Sequence, residues 1–189
     1  MNKNTEHYVK IYKNFLQKDF CRNFIKKIEK ISWQEHYFTE LHSTKQIKLS
    51  GKNELACGFE KEMSKEHKFI MDELWFKIRE YVDELKFPWF NGWRAYSSLR
   101  FNKYMKTKKM AEHCDHISSL FNGEGGVPIL SIVILFNDNF KGGEFIMFKD
   151  TEYKLKTGDL LIFPSNFLFP HKVKPIKEGK RYSAVSWVW

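Results

Sequence analysis

The spacing of apolar residues divides the chain into a helical first part and a strand-rich second part. Apolar residues recur every three to four positions over residues 16–31, which is typical of an amphipathic helix. A second stripe follows Ser64, a residue type favoured at helix N-caps, and predicts a helix that ends near Lys86. Residues 32–63 lack a clear period and are interpreted as loop with short strands. Residues 8–15 alternate weakly and predict a first edge strand.

After Trp93 the helical period stops, and short β-like runs separated by turn residues continue to the end of the chain. The predicted strands are 93–104, 113–118, 129–136, 144–148, 159–163, 172–174 and 182–189. Two helices followed by about seven closely spaced strands favour an α+β, mainly β fold, in which helices back a sandwich or barrel. No linker is visible, so we expect one domain over 1–189, with helical support over about 1–92 and the β core over about 93–189.

Composition narrows the class of protein. The chain has 189 residues, of which 42% are hydrophobic, and this is enough apolar material for one folded core. Its formal charge of +9 would suit an acidic partner, but the lysines are spread along the whole chain, which is more typical of a solvated surface. The three cysteines include no CxxC pair, so neither a disulfide framework nor a cysteine-based zinc site is indicated.

The same features suggest where the protein works. The first 15 residues are polar and lack the apolar region of a signal peptide. The longest apolar run, 127–136, is too short to cross a bilayer. We therefore expect a soluble, cytoplasmic protein with no membrane partner.

His113, Asp115 and His171 are candidate metal ligands. In an extended strand, His113 and Asp115 share one face while Cys114 points to the other. His171 lies between two predicted strands, and antiparallel pairing could bring it to the same place. Two imidazoles and one carboxylate form the facial triad that holds non-haem Fe(II). The alternative is that each histidine is only a partly exposed polar residue.

Arg181 is a candidate anion anchor, ten residues after His171. A guanidinium in an apolar pocket binds a carboxylate through two parallel hydrogen bonds, and Ser183, two residues further along a strand, would face the same way. The alternative is a surface arginine in a basic segment that includes Lys177 and Lys180.

Taken together, these motifs give the chain a family resemblance. From Arg100 onward it resembles the Fe(II)- and 2-oxoglutarate-dependent dioxygenases, in the branch that includes the prolyl 4-hydroxylases. The matching pieces, in order, are Tyr104, 113–115, 140–145, 157–164, 171–173, 179–183 and Trp187. Each piece alone is unspecific, but the combination is highly specific.

The resemblance implies a double-stranded β-helix core (jelly-roll or cupin-like) backed by the N-terminal helices. By position, His113, Asp115 and His171 would ligate Fe(II), and Arg181 would bind the distal carboxylate of 2-oxoglutarate. No catalytic residue is implied beyond the metal site. The implied reaction uses O2, releases succinate and CO2, and hydroxylates a C–H bond, with a prolyl residue of a protein or peptide as the first choice. Ascorbate is a further candidate cofactor.

Other positions are implied less directly. Tyr104 matches a tyrosine that reaches into the co-substrate pocket, where it would donate a hydrogen bond, or it is one more core aromatic. The glycine pair at 142–143 matches a turn at the barrel mouth. Four apolar residues are expected to line the metal site. They are Ile132, Ile134, Phe148 and Val173.

The chain also departs from the family pattern. Thr107 stands where the family usually has glycine, Met110 stands where it has an aromatic residue, and collagen-type prolyl hydroxylases usually carry lysine in place of Arg181. The segment before the metal strand and the prolyl substrate are therefore less securely implied than the oxygenase chemistry.

Two alternative functions remain open. One is oxidative demethylation of alkylated bases in nucleic acid, which Asn102-Lys103-Tyr104 and the basic charge favour. Trp187 stands where that group has a second arginine, and this counts against it. The other is a non-catalytic metal-binding barrel, or a basic interaction module. The cationic residues of such a module would be Lys103, Lys106, Lys108 and Lys109. The other interpretation of these lysines is that they form a pocket rim or a solvated face. The oligomeric state is left open.

Overall fold

Three helices and fifteen strands form within residues 3–39, 45–49, 51–86, 95–116 and 127–189, the parts that the computed structural model describes. The helices are α1 Lys3–Glu6, α2 Lys18–Ile28 and α3 Lys65–Leu85, and Gly51–Asn53 forms one 3-10 turn. The first strands are β1 Lys10–Tyr12, β2 Gln34–Glu35, β3 Phe38–Thr39, β4 Gln46–Ile47, β5 Ala56–Gly58, β6 Arg100–Tyr104, β7 Met110–His113 and β8 Leu130–Leu135. The remaining strands are β9 Lys141–Gly142, β10 Phe145–Met147, β11 Thr151–Tyr153, β12 Leu160–Pro164, β13 His171–Val173, β14 Ile176–Glu178 and β15 Arg181–Val188.

Both long helices form where the apolar period predicts them. In α2 the residues that point inward, such as Phe24 and Ile28, are fully buried. Ser64 caps α3 because its Oγ accepts a hydrogen bond from the His67 backbone N–H at 3.2 Å. The helix ends at Lys86, whose φ of 53° is left-handed.

The strands build two antiparallel sheets that enclose the candidate site. The larger sheet has the order β1-β12-β8-β15-β6-β5-β2, and the smaller has the order β11-β10-β13-β7. β1 lies at the edge of the larger sheet and pairs with β12, so the predicted edge strand is present, although it is short. This arrangement confirms the expectation of a mainly β, jelly-roll core with helices behind it.

The large sheet is buried on both faces. One core cluster joins α2 and α3 to residues such as Ile132, Ile134 and Ile162. A second cluster fills the space between the sheets with residues such as Val133 and Phe163. Because neighbouring residues of a strand point to opposite faces, β8 is buried along its whole length.

Several strand predictions need correction. The strand predicted over 113–118 instead ends at His113, and β6 is shorter than 93–104. Ile132 and Ile134 point toward the helices rather than the site, so their predicted place in its lining is wrong, whereas Val173 lines it. A continuous apolar run does not reveal which residues face which side. Residues 93–94 and 117–118 of the predicted strands lie outside the described residues.

Candidate active site

The three predicted metal ligands meet between the sheets. His113 on β7 pairs in register with His171 on β13, and their ring centroids are 4.4 Å apart. Asp115 lies two residues beyond β7 and turns back toward them. His113 Nε2 is 3.3 Å from Asp115 Oδ1, and His171 Nε2 is 3.7 Å from Asp115 Oδ2. The three side chains offer one ligand atom each, all within 4.8 Å of one another.

Backbone hydrogen bonds fix the two imidazoles. His113 Nδ1 lies 2.8 Å from the Ala111 carbonyl oxygen, and His171 Nδ1 lies 3.1 Å from that of Phe169. A carbonyl only accepts, so each Nδ1 carries a proton and each Nε2 is the nitrogen that faces the centre of the cluster. Burial, reinforced by His113, lowers the pKa of His171 to about 4, so this imidazole is neutral at neutral pH.

Asp115 is held in place by a chain of hydroxyl groups. Ser131 Oγ donates to Asp115 Oδ2 at 2.6 Å. Its single proton is then used, so Ser165 Oγ, 2.8 Å away, donates to Ser131. Burial by itself would raise the pKa of the Asp115 carboxyl, but His171, His113 and Ser131 outweigh it and hold the pKa well below its ordinary value. The carboxylate is therefore ionised and oriented.

Arg181 forms the second part of the site. It is 2% exposed and lies on β15 opposite Tyr104 of β6, with the guanidinium carbon 4.9 Å from the centre of the Tyr104 ring. Its Nη1 donates to Ser183 Oγ at 2.8 Å. Its Nε–H is buried, and the described residues offer it no acceptor. A buried cation with an unsatisfied donor is chemically ready to bind an anion.

A glycine leaves room for the arginine. Gly143 has a φ of +67°, and a Cβ there would lie 2.4 Å from Ile176 Cδ1 and 3.3 Å from Arg181 Cδ. Both glycines of the pair, Gly142 and Gly143, thus have a backbone conformation that larger residues rarely adopt.

All six predicted site residues line one cavity. Its wall also includes residues that the sequence did not single out for the site, namely Arg100, Asn102, Met110, Val133, Phe145 and Val185, as well as the motif residue Trp187. Ser131 carried a usable signal, because it is the one polar residue within β8. Arg100 and Asn102 could have been found from Tyr104, since residues two apart on a strand share a face.

Two of the four lysines before the metal strand are held by contacts within the protein. Lys103 Nζ bonds to Glu29 at 3.1 Å and lies over the Trp33 ring, so it joins the sheet to the segment that contains α2. Lys108 Nζ donates to the Lys52 carbonyl oxygen at 2.7 Å. The basic interaction module is therefore not supported by the positions of these two side chains.

Cys21, Cys57 and Cys114 are free thiols. Among the described residues, no helix combines the length and the apolarity needed to cross a bilayer.

Comparisons with known proteins cover the part of the chain that carries the candidate site and agree with the fold. Residues 99–189 match the 2OG-Fe(II) oxygenase superfamily. A PKHD-type hydroxylase from Prochlorococcus marinus (strain MIT 9312) is 34% identical over 89 residues, which are 45% of this chain and 39% of that protein. A PKHD-type hydroxylase from Stenotrophomonas maltophilia (strain R551-3) is 33% identical over 99 residues, 49% of this chain and 43% of that protein. The chain thus covers less than half of these curated relatives.

Solved structures extend the likeness of fold to almost the whole chain. The viral collagen prolyl hydroxylase from Paramecium Bursaria Chlorella virus-1, in its 2OG complex, has a TM-score of 0.65 at 16% identity and covers 96% of this chain and 94% of its own. A prolyl hydroxylase from Trichoplax adhaerens, in complex with a hypoxia inducible factor peptide fragment, has a TM-score of 0.69 at 14% identity, with 98% and 86% covered. Residues 99–189 are thus similar to the 2OG-Fe(II) oxygenase superfamily, and nearly the whole chain shares the fold of solved prolyl hydroxylases.

Proposed function

We propose that this protein is an Fe(II)- and 2-oxoglutarate-dependent oxygenase that hydroxylates a C–H bond of a protein or peptide, with a prolyl residue as the first choice. We further propose that residues 1–189 act as one domain. The observation that carries the proposal is that an oriented His-Asp-His cluster and a buried, unsatisfied arginine line the same cavity. The superfamily is named for Fe(II) and 2-oxoglutarate, the two ligands that this cluster and this arginine would bind.

His113, Asp115 and His171 would hold the iron. Two neutral imidazoles and one carboxylate are the donor set that suits Fe(II) in this chemistry. The backbone carbonyls behind the histidines and Ser131 behind the aspartate keep the three donors in place before the metal arrives. Little reorganisation is then needed on binding.

Arg181 would bind the distal carboxylate of 2-oxoglutarate. The carboxylate would satisfy the orphaned Nε–H and replace the lost hydration of the buried cation. Ser183 already orients the guanidinium, and Tyr104 stacks on it, which leaves the Tyr104 hydroxyl as a further donor. The open space in the cavity is about 30 Å³, so the lining side chains must move apart when the co-substrate enters.

When bound, Fe(II) with 2-oxoglutarate and O2 supplies the oxidising chemistry, and succinate and CO2 are released. The chain itself supplies position and surroundings. Val133, Phe145 and Val173 make the cavity wall apolar, which strengthens the charge interactions of Arg181 and excludes water. Ascorbate as a cofactor stays a prediction.

The names of the relatives and of the solved neighbours support a peptide substrate. The curated relatives are hydroxylases, and one solved neighbour is a prolyl hydroxylase in complex with a peptide fragment. This support is by analogy of fold and does not come from contacts in this chain.

The proposal is tested without knowing the substrate. Fe(II) and then 2-oxoglutarate are added anaerobically to metal-free protein, and the weak visible charge-transfer band of the chelated keto acid is recorded. We expect a band in the native protein, none in His171→Ala, and a band that requires far more 2-oxoglutarate in Arg181→Ala. His7→Ala and Arg79→Ala, which change exposed residues outside the cavity, serve as controls.

Absence of the band in native protein that demonstrably binds iron would favour the non-catalytic barrel instead. Where the band forms, succinate release in air follows as the second measurement. Asp115→Ala should abolish this turnover, and full turnover in that variant would contradict the ligand assignment.

A further inference from the structure

The cavity contains a second guanidinium, which the proposed co-substrate does not use. Arg100, Asn102 and Tyr104 alternate along β6, so all three side chains face the space between the sheets. Tyr104 stacks on Arg181 at one end of this row, and Arg100 stands at the other end. A role for Arg100 rests on the proposed function, because it concerns the substrate of the same site.

The two arginines start from separate positions along the strand pair, and their guanidinium carbons lie over different rings, Tyr104 for Arg181 and Trp187 for Arg100. Arg181 pairs across the sheet with Tyr104, whereas Arg100 pairs with Val185, four residues further along β15. Four residues of extended strand span roughly 13 Å. An anion held by Arg181 therefore leaves Arg100 without an anion of its own.

Arg100 lies on the Asp115 side of the cavity. Its guanidinium carbon is 4.9 Å from the centre of the Trp187 ring. Trp187 pairs in register with Ser131, the residue that donates to Asp115. Measured along β15, the guanidinium is thus displaced from the co-substrate anchor toward the metal cluster, which is where a substrate must approach.

The bonding of Arg100 is incomplete. Its Nε–H is buried without an acceptor, and the described residues give it no ion pair within 4.0 Å. The titratable groups around it include Arg181, His36, whose pKa is lowered by burial, and Glu54, which is fully buried with its Oε2 3.5 Å from His36 Nδ1. Stacking on an indole fixes the plane of the guanidinium and leaves its edge for a planar partner.

We propose that Arg100 binds a carboxylate group of the substrate and thereby selects peptides that carry one beside the hydroxylated residue. A carboxylate fits better than a phosphate, because one guanidinium against an apolar indole offers a planar two-point contact rather than the several donors that a phosphate dianion requires. The carboxylate comes from an Asp or Glu side chain or from the end of the peptide chain. Matched peptides distinguish these two sources.

The test uses protein loaded with Fe(II) and 2-oxoglutarate and matched pairs of short peptides with one proline. One pair differs by Asp or Asn beside the proline, and another by a free or an amidated C-terminal carboxyl group at the proline. Binding is titrated anaerobically through the change in the visible band, and turnover is followed by succinate release. We expect about tenfold or greater preference for the acid member of one pair, the size typical of a charge-assisted hydrogen bond.

Arg100→Gln should reduce that preference to about one, mainly through KM, and Arg100→Lys should restore only part of it because it lacks the planar fork. The exposed Arg79→Gln serves as the matched control and should keep the preference. The band without peptide should be unchanged in Arg100→Gln, which shows that the variant is folded and holds its co-substrate.

The outcomes separate the two proposals. No band in the native protein overturns the proposed function. A normal band overturns the role of Arg100 if no pair shows a preference for the acid peptide. This holds whether both peptides of each pair bind equally or neither binds. A preference that persists in Arg100→Gln overturns it as well.

Discussion

At the scale of single residues, Ser131 has the most specific role that can be tested. It is the direct donor to Asp115 and is itself braced by Ser165. Ser131→Ala should weaken metal affinity about tenfold or more, since partners that orient a ligand typically contribute 10- to 100-fold. Titration with Fe(II) under anaerobic conditions, or with Mn(II) as a stable substitute, measures the change.

Ser165→Ala is the matched control for this prediction. It removes the outer hydroxyl and leaves the Ser131–Asp115 bond in place, so its effect on affinity should be smaller. Equal affinity in native protein and Ser131→Ala would show that the aspartate needs no such support.

Thr107 carries a second residue-scale prediction. It stands where the family usually has glycine, and its φ is +70°, a conformation that is costly for a β-branched residue. The side chain is exposed, and the backbone N–H donates to the Ile176 carbonyl oxygen at 2.8 Å, which keeps the turn in this shape. Relief of this backbone strain in Thr107→Gly should therefore stabilise the protein by about 1 kcal/mol. The gain is reduced by the greater conformational entropy that glycine gives to the unfolded chain.

Urea unfolding measures this gain in the free energy of unfolding. Thr107→Ala separates the causes, because it removes the β-branch and keeps a Cβ at positive φ, so it should recover only part of the stability. A loss of stability in Thr107→Gly would mean that the threonine side chain supports the turn in another way.

At the scale of elements, the start of α3 is tied to the sheet through His67. Its Nδ1 is 2.7 Å from Glu60 Oε2, while its Nε2 accepts from the Leu99 backbone N–H at 3.3 Å. Burial lowers the pKa of His67, and Glu60 offsets this only in part. Burial also lowers the pKa values of His36 and His171. The folded protein therefore favours neutral imidazoles.

The sign of the pH effect is set by these lowered pKa values. Below about pH 6.5 the unfolded chain binds protons on these histidines more readily than the folded protein does, so stability is lost as the pH falls. We expect metal-free protein to be less stable in urea at about pH 5.5 than at about pH 7.5. His67→Gln should be less stable overall but should lose less between the two pH values. The exposed His7→Gln should leave the difference unchanged, and an equal pH effect in His67→Gln would exclude His67 as a contributor.

Elements also show how far the sequence determines the site. Apolar periodicity located α2, α3 and most strands of the β core, because each of these buries one continuous face or both. It failed for β7, where His113 ends the strand and Asp115 turns back, so the shared face predicted from alternation is not what joins the two ligands. The short strands β9, β11 and β14 were not predicted, since two or three residues carry no period. Arg100 was missed because one arginine in a basic chain is not distinctive until its register is known.

At the scale of the whole molecule, the candidate site lies between two sheets with different supports. His113 and His171 belong to the small sheet. Arg181 belongs to the large sheet that the helices cover, as does Ser131, which donates a hydrogen bond to Asp115. A metal held by the triad, with 2-oxoglutarate between it and Arg181, would therefore join the two sheets. Ligands that bind only the folded state stabilise it, by about 2.7 kcal/mol when their concentration is 100 times the dissociation constant.

This joining predicts a stepwise rise in the thermal midpoint. Metal-free protein should have the lowest Tm, and Mn(II) should raise it. 2-Oxoglutarate should raise it further only when Mn(II) is present, because in the proposed site the keto acid would bind through the metal as well as through Arg181. Arg181→Ala should keep the first increment and lose most of the second, whereas His171→Ala should lose both. Scanning calorimetry, with succinate in place of 2-oxoglutarate as the control for a dicarboxylate that lacks the keto group, measures each step. A full second increment in Arg181→Ala would place the distal carboxylate elsewhere. A full second increment without metal would mean that the two sheets are joined through the arginine alone.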